Sequence, residues 1–99
     1  MNGLYLVTGS SSGIGEAIAR ALHANGGRIV LTGRNAERLN RVQAELKSSA
    51  AFICDLEKPT DSAELVDFVN TYSSRHNLQL RGLVNNAGVF IRQSFLETK

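Results

Sequence analysis

Three glycines and three serines crowd one short stretch, Thr8-Gly9-Ser10-Ser11-Ser12-Gly13-Ile14-Gly15. That mixture suits the binding of an anion better than acid–base or nucleophilic work. A glycine reaches backbone angles closed to other residues, so Gly9 can open a tight turn. Gly13 has no β-carbon and lets the backbone approach a bulky anion, and Gly15 allows the following segment to pack closely. The free N–H groups at a helix start, together with the positive end of the helix dipole, favour a phosphate there. Ser10, Ser11 and Ser12 add hydroxyl donors. The spacing is Gly-x-x-x-Gly-x-Gly, not the Gly-x-Gly-x-x-Gly of the commonest dinucleotide fingerprint, so the flanking elements must decide what the turn is for.

Other chemistry is poorly provided for. His23, Cys54 and His76 are too few for a metal centre and lack ligand spacing. Cys54 reads as a packed core thiol, and no histidine is placed by motif to activate a serine. Tyr72, at helical spacing with Phe68 and Val69, reads as core.

The elements that would position the turn follow from the apolar pattern. Leu4-Tyr5-Leu6-Val7 is a buried strand closed by Thr8-Gly9. Ile14, Ala17, Ile18, Ala21 and Leu22 then recur with helical period and predict one buried stripe, stopped by Gly26-Gly27. Arg28 to Thr32 predicts a second strand. Asn35 can cap a second helix with Leu39, Val42 and Leu46 on its apolar face. Ala50 to Cys54 predicts a third strand, ended by Asp55. Pro59-Thr60 begins a helix that buries Leu65, Phe68, Val69 and Tyr72. Gly82 to Asn85 predicts a fourth strand, and a short helix is expected near Gln93. Alternating strands and helices with uninterrupted apolar strands predict an α/β fold, a parallel sheet covered on both faces. Right-handed crossovers make it doubly wound and Rossmann-like, with expected strand order 3-2-1-4 and a crevice between strands 1 and 4.

Composition bounds the rest. Ninety-nine residues make at most one domain, and 42% hydrophobic with 20% charged residues is ordinary globular composition. A net charge of +2 without a basic run argues against nucleic acid. No apolar run approaches the roughly 18 residues that cross a bilayer, and the N-terminus lacks a signal-peptide pattern. One cysteine forms no internal disulfide. A soluble cytoplasmic protein is the expectation.

The chain resembles the short-chain dehydrogenase/reductase family. The stretch Thr8 to Gly15 is similar to that family's Thr-Gly-x-x-x-Gly-Ile-Gly signature, Asn85-Asn86-Ala87-Gly88 to its Asn-Asn-Ala-Gly motif, and Asp55-Leu56 to its adenine-contacting Asp-Leu pair. The resemblance spans essentially the whole chain and implies a dinucleotide as partner. Gly9, Gly13 and Gly15 would shape the phosphate turn, with Ser10, Ser12 and the Ile14 backbone near the phosphates. Asp55 would accept from the adenine amino group, and the Leu56 amide would meet a ring nitrogen. Asn85, Asn86, Ala87 and Gly88 would line the adenosine ribose and fix the fourth strand. Taken alone, Asp55 is a carboxylate ending a strand and Asn86 a side chain that satisfies loop backbone.

Thr32-Gly33-Arg34-Asn35 bears on which nucleotide. An NAD site usually places an acid at the end of the second strand, and here Arg34 stands instead. A guanidinium can grip a 2′-phosphate with paired charge-assisted bonds, so NADP is favoured over NAD. The alternative for Arg34 is a solvated arginine beginning a helix.

The resembled family transfers hydride to or from alcohols and carbonyl compounds with a tyrosine and a lysine four residues later, assisted by a serine. Here Gly9 follows Tyr5 at that distance and His76 follows Tyr72. The expectation is therefore a partial dinucleotide-binding domain over residues 1–99, of oxidoreductase lineage and without turnover of its own. A free-standing nucleotide-binding module and a nonfunctional truncated product remain as alternatives. A fourth strand with nothing beside it would also present Leu83 and Val84 on a sheet edge prone to self-association.

Overall fold

The computed structural model describes residues 3–10, 13–55 and 57–85. Alternation in the first strand sets the layering. In β1 (Gly3–Thr8), Leu4 and Leu6 face one side of the sheet while Tyr5 and Val7 face the other. The chain continues through α1 (Gly13–Ala24), β2 (Arg28–Gly33), α2 (Ala36–Glu45), β3 (Ala50–Ile53), α3 (Pro59–His76) and β4 (Gln79–Asn85).

The sheet order is β3-β2-β1-β4, and every pair is parallel. This is the doubly wound, Rossmann-like arrangement and strand order that the sequence predicts. Parallel pairing brings all four strand ends to one edge. Thr8 lies in register with both Thr32 and Asn85, and Gly33 with Ile53. Residues that follow these positions therefore share that edge, wherever they fall in the sequence.

Helices cover both faces. On one, Leu4, Leu6, Val30, Ala50 and Cys54 pack with Leu65 and Val69 of α3. Phe52, Phe68, Tyr72 and His76 extend that layer as a line of rings with centroids 5.0, 6.3 and 4.2 Å apart. On the other face, Val7, Ile29 and Leu31 pack with Ala19 of α1 and with Leu39, Val42 and Leu46 of α2. Each fully buried Leu or Ile contributes roughly 1.5–3 kcal/mol through removal of apolar surface from water. Arg20 joins the two helices of this face, pairing with Glu16 of its own helix at 2.8 Å and with Glu45 of α2 at 2.7 Å.

Three expectations about the elements need correction. The buried line of α1 is not Ile14-Ala17-Ile18-Ala21-Leu22. Gly15 and Ala19 are buried, Leu22 packs beside them, and Ile14 is 69% exposed. Small residues let the helix lie close to the sheet, and this requirement overrides the larger apolar side chains one position away. The third strand stops at Ile53, although the Cys54 N–H still donates to Gly33 O at 3.0 Å. The fourth strand begins at Gln79, three residues early. Gln79 and Arg81 disguise its start, and the register slips beside Arg81 so that Leu4 pairs with Leu80 and Tyr5 with Gly82.

The caps are as the sequence predicts. Gly26, at φ 91°, closes α1, and the Asn35 side chain accepts the Arg38 N–H at 3.0 Å to begin α2.

Candidate functional site

The glycine turn leaves β1 at the edge where all four strands end. Gly9 has φ 67°, a left-handed conformation that a side chain disfavours. Gly15 is buried where α1 meets the sheet. Gly13 is different. It is exposed, and a β-carbon built on it would meet no described protein atom within 4 Å. No contact with the described residues requires glycine there. Open space beside the first residue of a helix is what a phosphate approaching the free N–H groups needs. This is the observation by which the chain fits a nucleotide.

Ser10 corrects the sequence reading. Its side chain is fully buried, and its hydroxyl donates to Val7 O and accepts the Thr32 N–H at 3.3 Å. In that arrangement the hydroxyl faces the strands, and its proton is committed to Val7 O. The Ser10 N–H also donates to Thr32 O at 2.9 Å, which extends the β1–β2 pairing past Gly9. Ser11 and Ser12 lie outside the described residues.

Arg34 follows Gly33 directly, is exposed, and sits beside the capped start of α2. The Asn35 cap fixes the direction in which the chain leaves β2, and so where the Arg34 side chain begins.

Asp55 follows β3 on the same edge and is half-buried. Its Oδ1 accepts the Glu57 N–H at 3.0 Å, while its own N–H donates to Asp61 Oδ2 at 2.7 Å. One carboxylate therefore shapes the turn and a second, from the first turn of α3, anchors it. Asn85 ends β4 opposite Thr8, whose hydroxyl donates to Val84 O at 3.2 Å. Leu56, Asn86, Ala87 and Gly88 lie outside the described residues.

Two residues at this edge were missed by sequence reasoning. Thr32 is fully buried and donates its hydroxyl to Phe52 O at 2.6 Å, with Cys54 Sγ at 3.0 Å. A hydroxyl at the last inward position of an apolar strand was the available signal. Asp61 was legible as an acid three residues into a helix with no capping side chain at Lys58. Burial pushes the Cys54 thiol up from its ordinary value. The bond from Thr32 opposes this shift, and Asp61, Asp55 and Glu64 add to it. A neutral packed thiol is the result, consistent with a core role.

Among the described residues no cluster of His, Cys, Asp or Glu could hold a metal ion. None of the described helices is long and apolar enough to cross a membrane.

Comparison with known proteins agrees with this geometry. The family model for short chain dehydrogenases matches residues 4–99. Dehydrogenase/reductase SDR family member 7B of Bos taurus is 38% identical over 103 residues, covering 98% of this chain and 32% of that protein. The 3-oxoacyl-(acyl-carrier-protein) reductase FabG of Rickettsia prowazekii is 38% identical over 85 residues, 85% of this chain and 32% of its own length. Among solved structures, a metagenomic short-chain oxidoreductase in complex with NADP superposes with a TM-score of 0.72 at 39% identity, covering 89% of this chain and 40% of that one. The chain spans about a third of the length of these two curated relatives. Fold, motif order and family match agree: the chain belongs to the short-chain dehydrogenase family.

Proposed function

We propose that these residues form the NADP-binding part of an oxidoreductase that exchanges hydride with an alcohol or carbonyl compound. The open space at Gly13 carries the proposal, because it is room that none of the described residues occupies. In this reading the backbone from Gly9 to Gly15, with the Ile14 amide and Ser12, receives the pyrophosphate. Asp55 and the Leu56 amide hold the adenine. Asn85, Asn86, Ala87 and Gly88 line the adenosine ribose. Ser10 contributes by holding the turn rather than by donating its hydroxyl. The nicotinamide of the bound nucleotide would supply the hydride chemistry.

Arg34 supports NADP over NAD. It is exposed at the end of β2, where a carboxylate would repel a 2′-phosphate and a guanidinium can pair with it. The solved relative with NADP bound is consistent with this preference.

Neither tyrosine in the 99 residues has lysine four positions later. Tyr72 is committed to the fold, its hydroxyl donating to Ser48 O at 3.0 Å and its ring stacked on Phe68. These residues alone are therefore proposed to bind the nucleotide without turnover. Calorimetric titration tests the assignment. NADP should bind more tightly than NAD, by about tenfold for paired charge-assisted bonds at an exposed site, and Arg34→Asp should abolish the difference. Equal affinities in the unsubstituted chain would refute the role of Arg34.

A further inference from the structure

Thr8, Ser10 and Thr32 are the fully buried polar side chains among the described residues, and two of them join into a seam beneath the strand ends. Thr32 lies at its centre. Its N–H donates to Ser10 Oγ at 3.3 Å and its carbonyl accepts the Ser10 N–H at 2.9 Å. Its hydroxyl donates to Phe52 O at 2.6 Å and lies 3.0 Å from Cys54 Sγ. The neighbouring Gly33 carbonyl accepts the Cys54 N–H at 3.0 Å. One residue thus ties the β1–α1 turn on one side to the β3–α3 turn on the other, and Arg34 leaves the same strand two positions later.

We infer that Thr32 is a positioning residue that holds these three loops in register, and thereby sets how strongly the chain prefers a 2′-phosphorylated nucleotide. The inference rests on the proposed NADP site. A ligand with two phosphates must engage the glycine turn and Arg34 together, so its affinity depends on the separation of those two groups being fixed beforehand. A ligand with only the 5′-phosphate engages the turn alone and is less sensitive. The Thr32 backbone ties the turn to β2, and its hydroxyl anchors the end of β2, from which Arg34 leaves, to β3, through bonds that are buried and shielded from competing water. A threonine serving only to fill the core would affect both ligands alike.

Adenosine 2′,5′-bisphosphate and 5′-AMP are the probes, titrated calorimetrically against the 99-residue chain and its variants, with a thermal melt of each. Thr32→Val keeps the shape and removes the hydroxyl. It should lower the preference for the bisphosphate about fivefold, the worth of one buried hydrogen bond. Thr32→Ser restores the hydroxyl and should keep the preference within about twofold of the unsubstituted chain, the lower edge of that same hydrogen-bond range. If Thr32→Val fails to fold, Ser10→Ala removes the hydroxyl that accepts the Thr32 N–H, leaving the Ser10 N–H bond to Thr32 O, and should shift the preference in the same direction. An unchanged preference in the folded variant, or an equal loss for both ligands, overturns the inference and leaves the NADP site standing. If the unsubstituted chain binds neither probe, the proposed function falls and the inference falls with it.

Discussion

Gly13→Val should separate binding from stability. Gly13 opens α1, is exposed, and has no described atom within 4 Å of where a β-carbon would stand. A β-carbon there meets no described protein atom, and helix propensity shifts stability by less than about 0.5 kcal/mol. For a domain of this size that moves the melting temperature by at most roughly 4 °C. Binding should respond quite differently. Phosphate oxygens must come within about 3 Å of the N–H groups at the helix start, and a branched side chain occupies the path. Loss of two charge-assisted hydrogen bonds costs roughly 3–6 kcal/mol, which is a fall in affinity of at least about a hundredfold. Calorimetric titration with NADP beside a thermal melt reads both quantities on one preparation. Normal binding by Gly13→Val would refute the phosphate-turn reading. A melting temperature lowered by more than about 10 °C, well outside the propensity effect, would show that Gly13 is needed by the fold instead.

Three further outcomes follow from packing and charge. Gly82→Ala puts a β-carbon 2.6 Å from Tyr5 Cδ1, on a ring that Gly27 already confines from its Cδ2 side. It should cost about 1–3 kcal/mol and lower the melting temperature by roughly 5–20 °C, and a melt unchanged within 2–3 °C, the effect of roughly half a kcal/mol, would show that the ring has room to move. Asp61→Ala leaves the Asp55 N–H without its 2.7 Å acceptor and should weaken NADP about fivefold or more, whereas Asp61→Asn retains an oxygen and should bind nearly normally; equal losses in both would point to charge rather than to the hydrogen bond. The Cys54 thiol is held above its ordinary value chiefly by burial, so the folded state keeps a proton that the unfolded state releases first. That contribution is complete below the unfolded pKa and is lost as pH rises through the folded one. Alkaline denaturation curves should show the loss in the unsubstituted chain and its reduction in Cys54→Ala; identical curves would contradict the assignment.

Much of the fold was legible because strands β1 and β2 are continuous apolar runs, and because Gly26 and Asn35 punctuate α1 and α2 by local chemistry. The errors arose where a tertiary contact outweighed pattern. In α1, periodicity favoured the larger side chains, but close approach to the sheet selected Gly15 and Ala19. In β4, the polar Gln79 and Arg81 concealed the strand's first residues. The candidate site divides in the same way. Gly9, Arg34 and Asp55 were placed on one edge by strand order alone, which a parallel sheet brings about without any side-chain detail. Ser10 could not be read correctly, since the direction of its hydroxyl depends on a strand 22 residues away. Thr32 and Asp61 act through bonds across elements: the sequence marks a hydroxyl at the end of β2 and an acid in the first turn of α3, but not the groups that each one meets.

If the four strand ends build one nucleotide site, an amide chemical-shift titration of the labelled chain with NADP will show it. Changes are expected at Gly9, Gly13, Ile14, Arg34 and Asp55, together along one edge, with Gly26, Gly27 and Asn77 at the opposite ends of the strands unmoved. Changes gathered at Gly26, Gly27 and Asn77, or no saturable change at any amide, would contradict it.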